Sequence, residues 1–515
     1  VNDSRAWRHA LAILAGTTLL RLAIGSLVPL FPDETYYWDW SRTLKPGYFD
    51  HPPMIAVLIR AGTALFGNHA IGVRLFPILA GSAATLGIAM TARELAGDVA
   101  ARLATLVFAC LPIATVGLVL ATPDSPMLGA VAWAMYFVVR ALNAPAEAGG
   151  RRQLTSWLAA GLAIGLAMSS KYTSVLFPAA VALAFIGHPR LQNMFGTAGP
   201  YLAVVVASLV LAPVLWWNGT HEWVSFRFQL GHGLGLPKGG FLGGLNREAQ
   251  LAGGQIALVS PILFYLLVRA VKRAFEPTPD GIRLTLAFVP MCFAAFFIYS
   301  ASRRAVEANW PAIAYLPAVV LLAIAPAESP DGARWLNRGL VLGAVLSLVI
   351  FVHALVPILP IPARQDQVAK AFGWELLADK VDRRRLFVTS RQAFGRVDLF
   401  VAAERYQDAS ELAFHLGDHP RVFSLNLTGR PNQYDLWGTF PERAAPNASL
   451  ILVLDDEPGE PRAIRKLTCC FRRIDQGESV ALVRGENVAA RKRLWFLQGW
   501  TGEWPRRDQP FPWVD

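Results

Sequence analysis

Charge of either sign is scarce in this chain. Lys, Arg, Asp and Glu together make 17% of its 515 residues, while 54% are hydrophobic; soluble globular proteins carry about 25% charged residues. That deficit argues against a wholly soluble protein and leaves lipid as the solvent for most of the chain. Cysteine is scarcer still, with four residues: Cys110 and Cys292 inside apolar runs, and Cys469 next to Cys470. This gives neither a disulfide framework nor a zinc spacing. There is no Walker sequence, no GxGxxG fingerprint and no internal repeat. HEWVSFRFQLGH is the nearest approach to a metal motif, but its second His, His232, lies too far from His221 for HExxH.

What the chain has instead is a series of apolar runs. A helix needs about 20 residues to span a bilayer. Candidate runs lie near 7–28, 70–94, 101–121, 125–141, 154–170, 172–188, 197–217, 249–270, 282–300, 311–326 and 337–357, about eleven in all. The first is too long for a signal-peptide core and lacks a small-residue cleavage site, so it is expected to stay as a helix. MIAVLIRAGTALF, after Pro52–Pro53, is shorter and contains Arg60; it suits a helix lying in the interface.

The formal net charge is +11. A basic balance can mark nucleic-acid binding, but the cations here gather at alternate ends of the runs. They are Arg5 and Arg8, Arg93 and Arg102, Arg140 with Arg151 and Arg152, Arg190, Arg269 with Lys272 and Arg273, and Arg334 with Arg338. That is the positive-inside pattern of a polytopic membrane protein, and no nucleic-acid partner is expected. It puts the N-terminus in the cytoplasm and, with an odd number of spans, the tail outside. The expected fold is a polytopic α-helical membrane domain over residues 1–360, with outer-face loops and interfacial helices, and a soluble α/β domain over 361–515. In the tail, RRLFVTS, RVFSLN and SLILVLDD read as short buried strands, ASELAFHL as an amphipathic helix and GRPNQYDLW as a loop.

The polar segment after the first run, FPDETYYWDWSRTLKPGYFDHPPM, is too rich for a plain connector. It holds Asp33, Glu34, Asp39 and Asp50 with Arg42, Lys45 and His51, among aromatics that include Tyr36 and Tyr37. Adjacent carboxylates such as Asp33 and Glu34 repel unless a cation, a donor or a reacting group lies near; a solvated or helix-capping pair is the plainer alternative. Asp124 in ATPDSPML falls on the same expected face, where it can also start a helix. Lys171 in AMSSKYTSVLF is a charge between apolar runs, costly without a partner. Arg303 and Arg304 stand on the outer face against the topological bias and are candidates for holding an anion, with loop solvation as the alternative. His51 precedes Pro-Pro, which keeps its backbone extended; it can bind phosphate when protonated or simply bond a neighbour. The loop from Asn218 to Arg247 carries His221, Glu222, Arg227 and Lys238, and its Gly-rich end suggests a lid.

Together PDETYYWDWS, YFDHPP, TPDSP, SKYT, WWN with HEWVSFRFQ, and EANWPA resemble the GT-C glycosyltransferases that use lipid-linked sugars, a superfamily that includes protein O-mannosyltransferases and bacterial lipid A aminoarabinose transferases. The resemblance covers about residues 7–357. It implies a catalytic base at Asp33 with Glu34 beside it, and a second outer-face acid at Asp124. His51 departs from the aminoarabinose transferases, which generally carry Lys before the Pro-Pro, so their sugar is not carried over. The implied chemistry needs a base for the acceptor hydroxyl and cations for the departing phosphate, the latter matched by Lys171, Arg303, Arg304 and His51. Tyr36, Tyr37, His221, Glu222 and Arg227 would line the substrate loops.

The function expected is an inverting glycosyltransferase in a bacterial inner membrane. It would move a sugar from a polyprenyl-phosphate carrier to a lipid or glycan acceptor on the periplasmic face, with membrane lipids around it. No cofactor or metal is assigned, and a divalent cation is left open. The alternative is a transporter or flippase of lipid-linked sugars. Such a protein would show ionisable groups near the midplane and related halves, whereas here charges gather in outer loops. Arg21 and Arg74 are the exceptions, expected to pair with acids or snorkel.

Overall fold

The computed structural model describes residues 3–144, 149–235, 240–276, 280–325, 330–390 and 398–508. It divides into two compact units, Val1–Ser26 with Lys45–Val352, and Leu27–Leu44 with His353–Asp515.

The first unit is helical: α1 (Ser4–Leu27), α3 (Met54–Phe66), α4 (Ala70–Ala109), α5 (Pro112–Gly117), α6 (Asp124–Leu142), α7 (Gly149–Met168), α8 (Leu176–Gly187), α9 (Pro189–Gln192), α10 (Ala198–Thr220), α11 (Val224–Leu234), α12 (Gly240–Val259), α13 (Pro261–Arg273), α14 (Gly281–Arg303), α15 (Tyr315–Ala323) and α16 (Pro330–Leu355). Among the described residues six helices are long and apolar enough to cross a membrane, or seven if α12 and α13 form one span. The protein is a multi-pass membrane protein. Its helices close on one another through small residues, as bilayer packing favours. A Cβ added to Gly129 of α6 would lie 2.5 Å from the Ala80 carbonyl of α4, so only glycine lets the two backbones approach this far.

Two breaks shape the bundle. The 40-residue α4 would be roughly 60 Å long if straight, about twice the hydrocarbon thickness. It is interrupted at Gly97, whose φ of 81° lies in the left-handed region that glycine enters without steric cost. The run expected as one span over 249–270 is also divided, because α12 and α13 meet at 102°. Pro261 cannot continue the ladder of α12, and Ser260, at φ 74°, caps α13 by accepting from the Leu263 amide.

Neither Arg21 nor Arg74 snorkels, contrary to expectation: both are fully buried. Arg74 donates to the Gly25 carbonyl at 2.9 Å. The Arg21 guanidinium has no hydrogen-bond partner among the described residues.

The second unit joins α2 (Pro32–Ser41) to the tail: α17 (Trp374–Ser390), β1 (Leu399–Ala403), α18 (Tyr406–His415), β2 (Val422–Ser424), β3 (Ser449–Asp455), α19 (Arg462–Leu467), β4 (Phe471–Arg484) and β5 (Asn487–Trp500). The sheet order is β2-β1-β3-β5-β4. β1 runs parallel to both β2 and β3, while β5 is antiparallel to β3 and β4. β3 is the central strand, buried through SLILVL, as a strand covered on both faces should be. RVFSLN, SLILVLDD and ASELAFHL fall on β2, β3 and α18 as read from sequence. RRLFVTS does not: it is the last turns of α17, and Leu386 and Phe387 are exposed there rather than buried in a strand. The sulfurs of Cys469 and Cys470 are bonded to each other, a link between neighbours that closes no long loop.

Candidate active site

In the membrane unit the sequence brings a carboxylate and an ammonium together. Pro123 immediately precedes α6 and Pro126 lies in its first turn, where a missing N–H costs nothing, so α6 begins at Asp124 with the acid at its positive end. Lys171 lies where α7 gives way to a 3-10 turn, Tyr172–Val175, and is 7% exposed. Its Nζ donates to Asp124 Oδ1 at 2.8 Å. The second oxygen, Oδ2, accepts from Asn309 Nδ2 at 3.2 Å. Lys171 Nζ also sits 5.9 Å from the centre of the Trp310 ring, within cation–π range. Next to it Tyr172 bonds Ser225 and Asn218 at 3.0 and 3.2 Å, which ties the lysine's turn to α10 and α11.

His51 belongs to a tight segment on the same unit. The Tyr48 amide donates to the His51 carbonyl at 3.2 Å, and the Met54 amide donates to the Ser169 carbonyl at 3.1 Å, two residues before Lys171. Gln229 of α11 donates to the Asp50 carbonyl, and the Phe49 and Phe228 rings lie 5.0 Å apart.

The stretch expected as a lid is largely helical, forming α11 and the start of α12. Helix α11 follows a turn in which Glu222 and Trp223 both take positive φ. His221 stacks on Trp217 at 4.2 Å, and its Nδ1 lies 2.8 Å from the Trp217 carbonyl. Glu222 and Arg227 are exposed. Lys238 lies outside the described residues.

Arg303 and Arg304 end α14. Arg303 Nε donates to the Gly235 carbonyl at 3.1 Å and its guanidinium lies 5.4 Å from the Tyr299 ring. Arg304 Nε is buried without a hydrogen-bond partner among the described residues. Arg247, which sequence reasoning passed over, donates to the Ala301 and Ser302 carbonyls at 2.9 and 2.8 Å. It satisfies the open C-terminal carbonyls of α14, a role with no sequence signature beyond an isolated basic residue.

The same unit holds a largely apolar cavity of about 510 Å³, with Leu251 and Gln255 of α12, Leu267 of α13, Met291 and Phe297 of α14 and Tyr315 of α15 in its wall. Phe297 and Trp310 have ring centres 6.3 Å apart, so the aromatic under Lys171 is packed against the cavity lining.

In the second unit α2 carries the acid pair. Glu34 is 1% exposed and its Oε2 accepts from the Phe31 amide at 3.0 Å; it caps its own helix, the structural role weighed for it above. Asp33, one residue earlier, is exposed. The other face of α2 is held by the tail. Thr35 bonds Ser410 at 3.0 Å, the Gln433 amide donates to Tyr36 Oη at 2.8 Å, and Tyr434 Oη donates to Asp39 Oδ2 at 2.7 Å. Tyr36 also packs against Tyr406, and Tyr37 stands edge-on to Trp40. GRPNQYDLW is therefore a support for α2 and not a free loop. Burial pushes the Asp39 carboxyl up, against the lowering effect of Arg42 at 2.9 Å. Deeper, Glu411 of α18 is fully buried and its carboxyl is pushed well up, first by burial and then by Asp408, Glu34 and Asp33.

The membrane unit thus holds a buried carboxylate–ammonium pair and an apolar cavity, and the same chain carries an α/β unit. Comparison with known proteins adds a likeness. Residues 50–217 match the family dolichyl-phosphate-mannose-protein mannosyltransferase. A lipid A galacturonosyltransferase of Rhizobium johnstonii is 32% identical over 321 residues, 61% of this chain and 64% of that enzyme. An undecaprenyl phosphate-alpha-4-amino-4-deoxy-L-arabinose arabinosyl transferase of Pseudomonas paraeruginosa is 31% identical over 221 residues, 38% and 39% of the two. The matched stretch is thus less than two thirds of either relative's length. ArnT from Cupriavidus metallidurans, in its crystal structure bound to undecaprenyl phosphate, superimposes with a TM-score of 0.64 at 17% identity, over 94% of this chain and 97% of that one. The chain is similar in sequence to GT-C glycosyltransferases and has the ArnT-like fold.

Proposed function

We propose that the protein is an inverting glycosyltransferase that moves a sugar from a polyprenyl-phosphate carrier to a lipid or glycan acceptor at the periplasmic face of a bacterial inner membrane. The observation that carries this reading is the Asp124–Lys171–Asn309 cluster joined through Trp310 and Phe297 to the apolar cavity. A charged head group and an isoprenoid tail need these two environments side by side. The names of the relatives point to lipid A as the acceptor and undecaprenol as the carrier. In this reading residues 1–360 form the catalytic membrane domain, with about eleven crossings, and 361–515 the periplasmic domain.

The chemistry follows from the leaving group. A polyprenyl phosphate departs without a strong general acid, so the enzyme must take a proton from the acceptor hydroxyl and hold the phosphate's developing charge. We assign the base to Asp33, the exposed acid of the pair, and the supporting cap to Glu34. Lys171 is assigned to the phosphate, with Arg303, Arg304 and His51 as further cations. Asp124 was expected among the catalytic acids. Both its oxygens are engaged, so we assign it to holding Lys171 rather than to proton transfer. Attack of the acceptor on the anomeric carbon opposite the phosphate inverts its configuration, through an oxocarbenium-like state. His221, Glu222, Arg227, Tyr36 and Tyr37 are assigned to the loops around the substrate.

The test is transfer by purified protein from undecaprenyl-phosphate sugars, supplied one at a time, with mass spectrometry of the product. Asp33→Asn is expected to lower kcat by about 10²–10⁴-fold without a matching change in KM. Wild-type turnover by Asp33→Asn at equal folded yield would remove the base assignment.

A further inference from the structure

The wall of the apolar cavity includes a buried polar arrangement that the proposed chemistry does not use. Gln255 is 8% exposed and Tyr315 is 7% exposed. Tyr315 Oη donates to Gln255 Oε1 at 2.7 Å, and Gln255 Nε2 donates to the Ala308 carbonyl at 2.8 Å. A primary amide in an apolar wall is costly unless bonded, and here one of its two bonds, from Nε2, reaches out of the cavity to the short segment between α14 and Trp310. Gly254 makes room for this contact: a Cβ there would lie 2.8 Å from the Ala308 Cβ. The residue after Ala308 is Asn309, which donates to Asp124 Oδ2, and the next is Trp310, whose ring lies under Lys171.

Two short routes therefore connect the cavity to the ion pair. One runs from Gln255 through the Ala308 carbonyl and Asn309 to Asp124. The other runs from Phe297 through Trp310 to Lys171. We infer that residues 304–310 act as a strap through which occupancy of the cavity by an isoprenoid tail orders the Asp124–Lys171 pair, with Gln255 as its positioning residue. The inference rests on the reading that the cavity takes the carrier's tail. Its consequence is that binding energy from the non-reacting tail is used to set the charged site. The tail would then be sensed as rate and not only as affinity.

Amide hydrogen exchange on the detergent-purified full chain tests this without knowledge of the sugar. The probes are undecaprenyl phosphate and geranyl phosphate, which share a head group and differ in tail length. In the wild type, undecaprenyl phosphate is expected to slow exchange by about tenfold in the cavity helices and in the peptide covering 304–310, while geranyl phosphate protects neither to that degree. In Gln255→Met the cavity helices should keep their protection and the 304–310 peptide should lose it. Tyr315→Phe, which removes only the hydroxyl that orients Gln255, should show the same pattern more weakly and serves if Gln255→Met does not fold. Equal protection of 304–310 in the wild type and both variants would overturn the strap, as would protected cavity helices with an unprotected strap in the wild type. No protection of the cavity helices in any form would instead overturn the assignment of the cavity to the carrier, and the strap with it.

Discussion

Lys171 holds a charge with 7% of its surface exposed, and its partners decide what that costs. Removing one member of a buried pair leaves the other uncompensated and costs about 3–5 kcal/mol, whereas replacing both by apolar residues is often neutral or stabilising. Lys171→Met and Asp124→Leu are each expected to lower the thermal midpoint clearly, while the double variant recovers most of the loss and still fails to transfer sugar. Thermal unfolding in detergent, read beside the transfer assay, checks both halves. A double variant whose loss equals the sum of the two single losses would mean that the pair is not energetically coupled. Asn309→Ala removes one charge-assisted hydrogen bond, at about 1.5–3 kcal/mol, and is expected to reduce kcat more than stability because Lys171 remains paired. Asp124 and Lys171 were legible in sequence because an acid and a base between apolar runs demand an explanation. Gln255 was not, since an amide carries no net charge and its significance depends on a partner remote in the chain; Asn309 entered only as part of EANWPA, with no role of its own.

At the scale of elements, α2 is the polar helix that the tail supports, and the α18 face against it is itself pH-sensitive. His415 Nε2 lies 3.3 Å from Glu411 Oε2. Burial lowers the imidazole to about 4, against a raising effect of Glu375, and burial with three neighbouring acids raises Glu411. The folded pair is therefore neutral, with the proton on Glu411. Between pH 4.5 and 6.5, the ordinary values of Glu and His, the unfolded chain carries one proton on this pair, on His415, and the folded chain also carries one, on Glu411. The pair's contribution to stability is flat there. Above that window the unfolded pair has released its proton while the folded one keeps it, so stability falls as pH rises toward the raised Glu411 value. Glu411→Gln should remove this alkaline loss and unmask a stability that rises with pH from about 4 to 6.5, the signature of His415 alone. Thermal midpoints across pH 4–9 check this; an unchanged alkaline slope in Glu411→Gln would refute it.

Element boundaries were legible where a single period dominated. SLILVLD reads as a covered strand and is one. RRLFVTS has strand-like composition, yet it continues a helix whose buried positions Trp374, Leu377, Ala378 and Val381 follow the 3.6-residue period. Reading seven residues without the preceding turns hid that period. β4 and β5 were missed because charged residues interrupt both strands and six of the fourteen β4 residues are exposed, so neither shows an alternating apolar pattern.

For the whole molecule, the side of the membrane on which the tail lies depends on the parity of crossings, and parity turns on α4. Arg74 bonds Gly25 near the end of α1, and Arg93 lies 4.3 Å from the ring of Trp7 near its start. The first part of α4 thus runs antiparallel to α1 and returns to the level of the N-terminus. Its break at Gly97 falls at that level, among Arg93–Asp98 and Glu94–Arg152 ion pairs. We propose that the chain, breaking there and continuing to Pro112–Gly117, makes a second crossing, although no separate long helix marks it. Counting α4 once would place Asp124 and Lys171 on the same side as Arg5 and Arg8 and would invert the charge bias of every later loop. With two crossings the eleven runs alternate consistently, α12 and α13 sharing one. The prediction is that alkaline phosphatase, active only outside the cytoplasm, shows high activity when fused after Asp508 or after Asn309, and low activity when fused after Asn143 or Arg273. High activity at Arg273 together with low activity at Asn309 would show that the break at Gly97 is a kink within one crossing. The charged cluster would then face the cytoplasm, and a periplasmic sugar transfer at Lys171 would be ruled out.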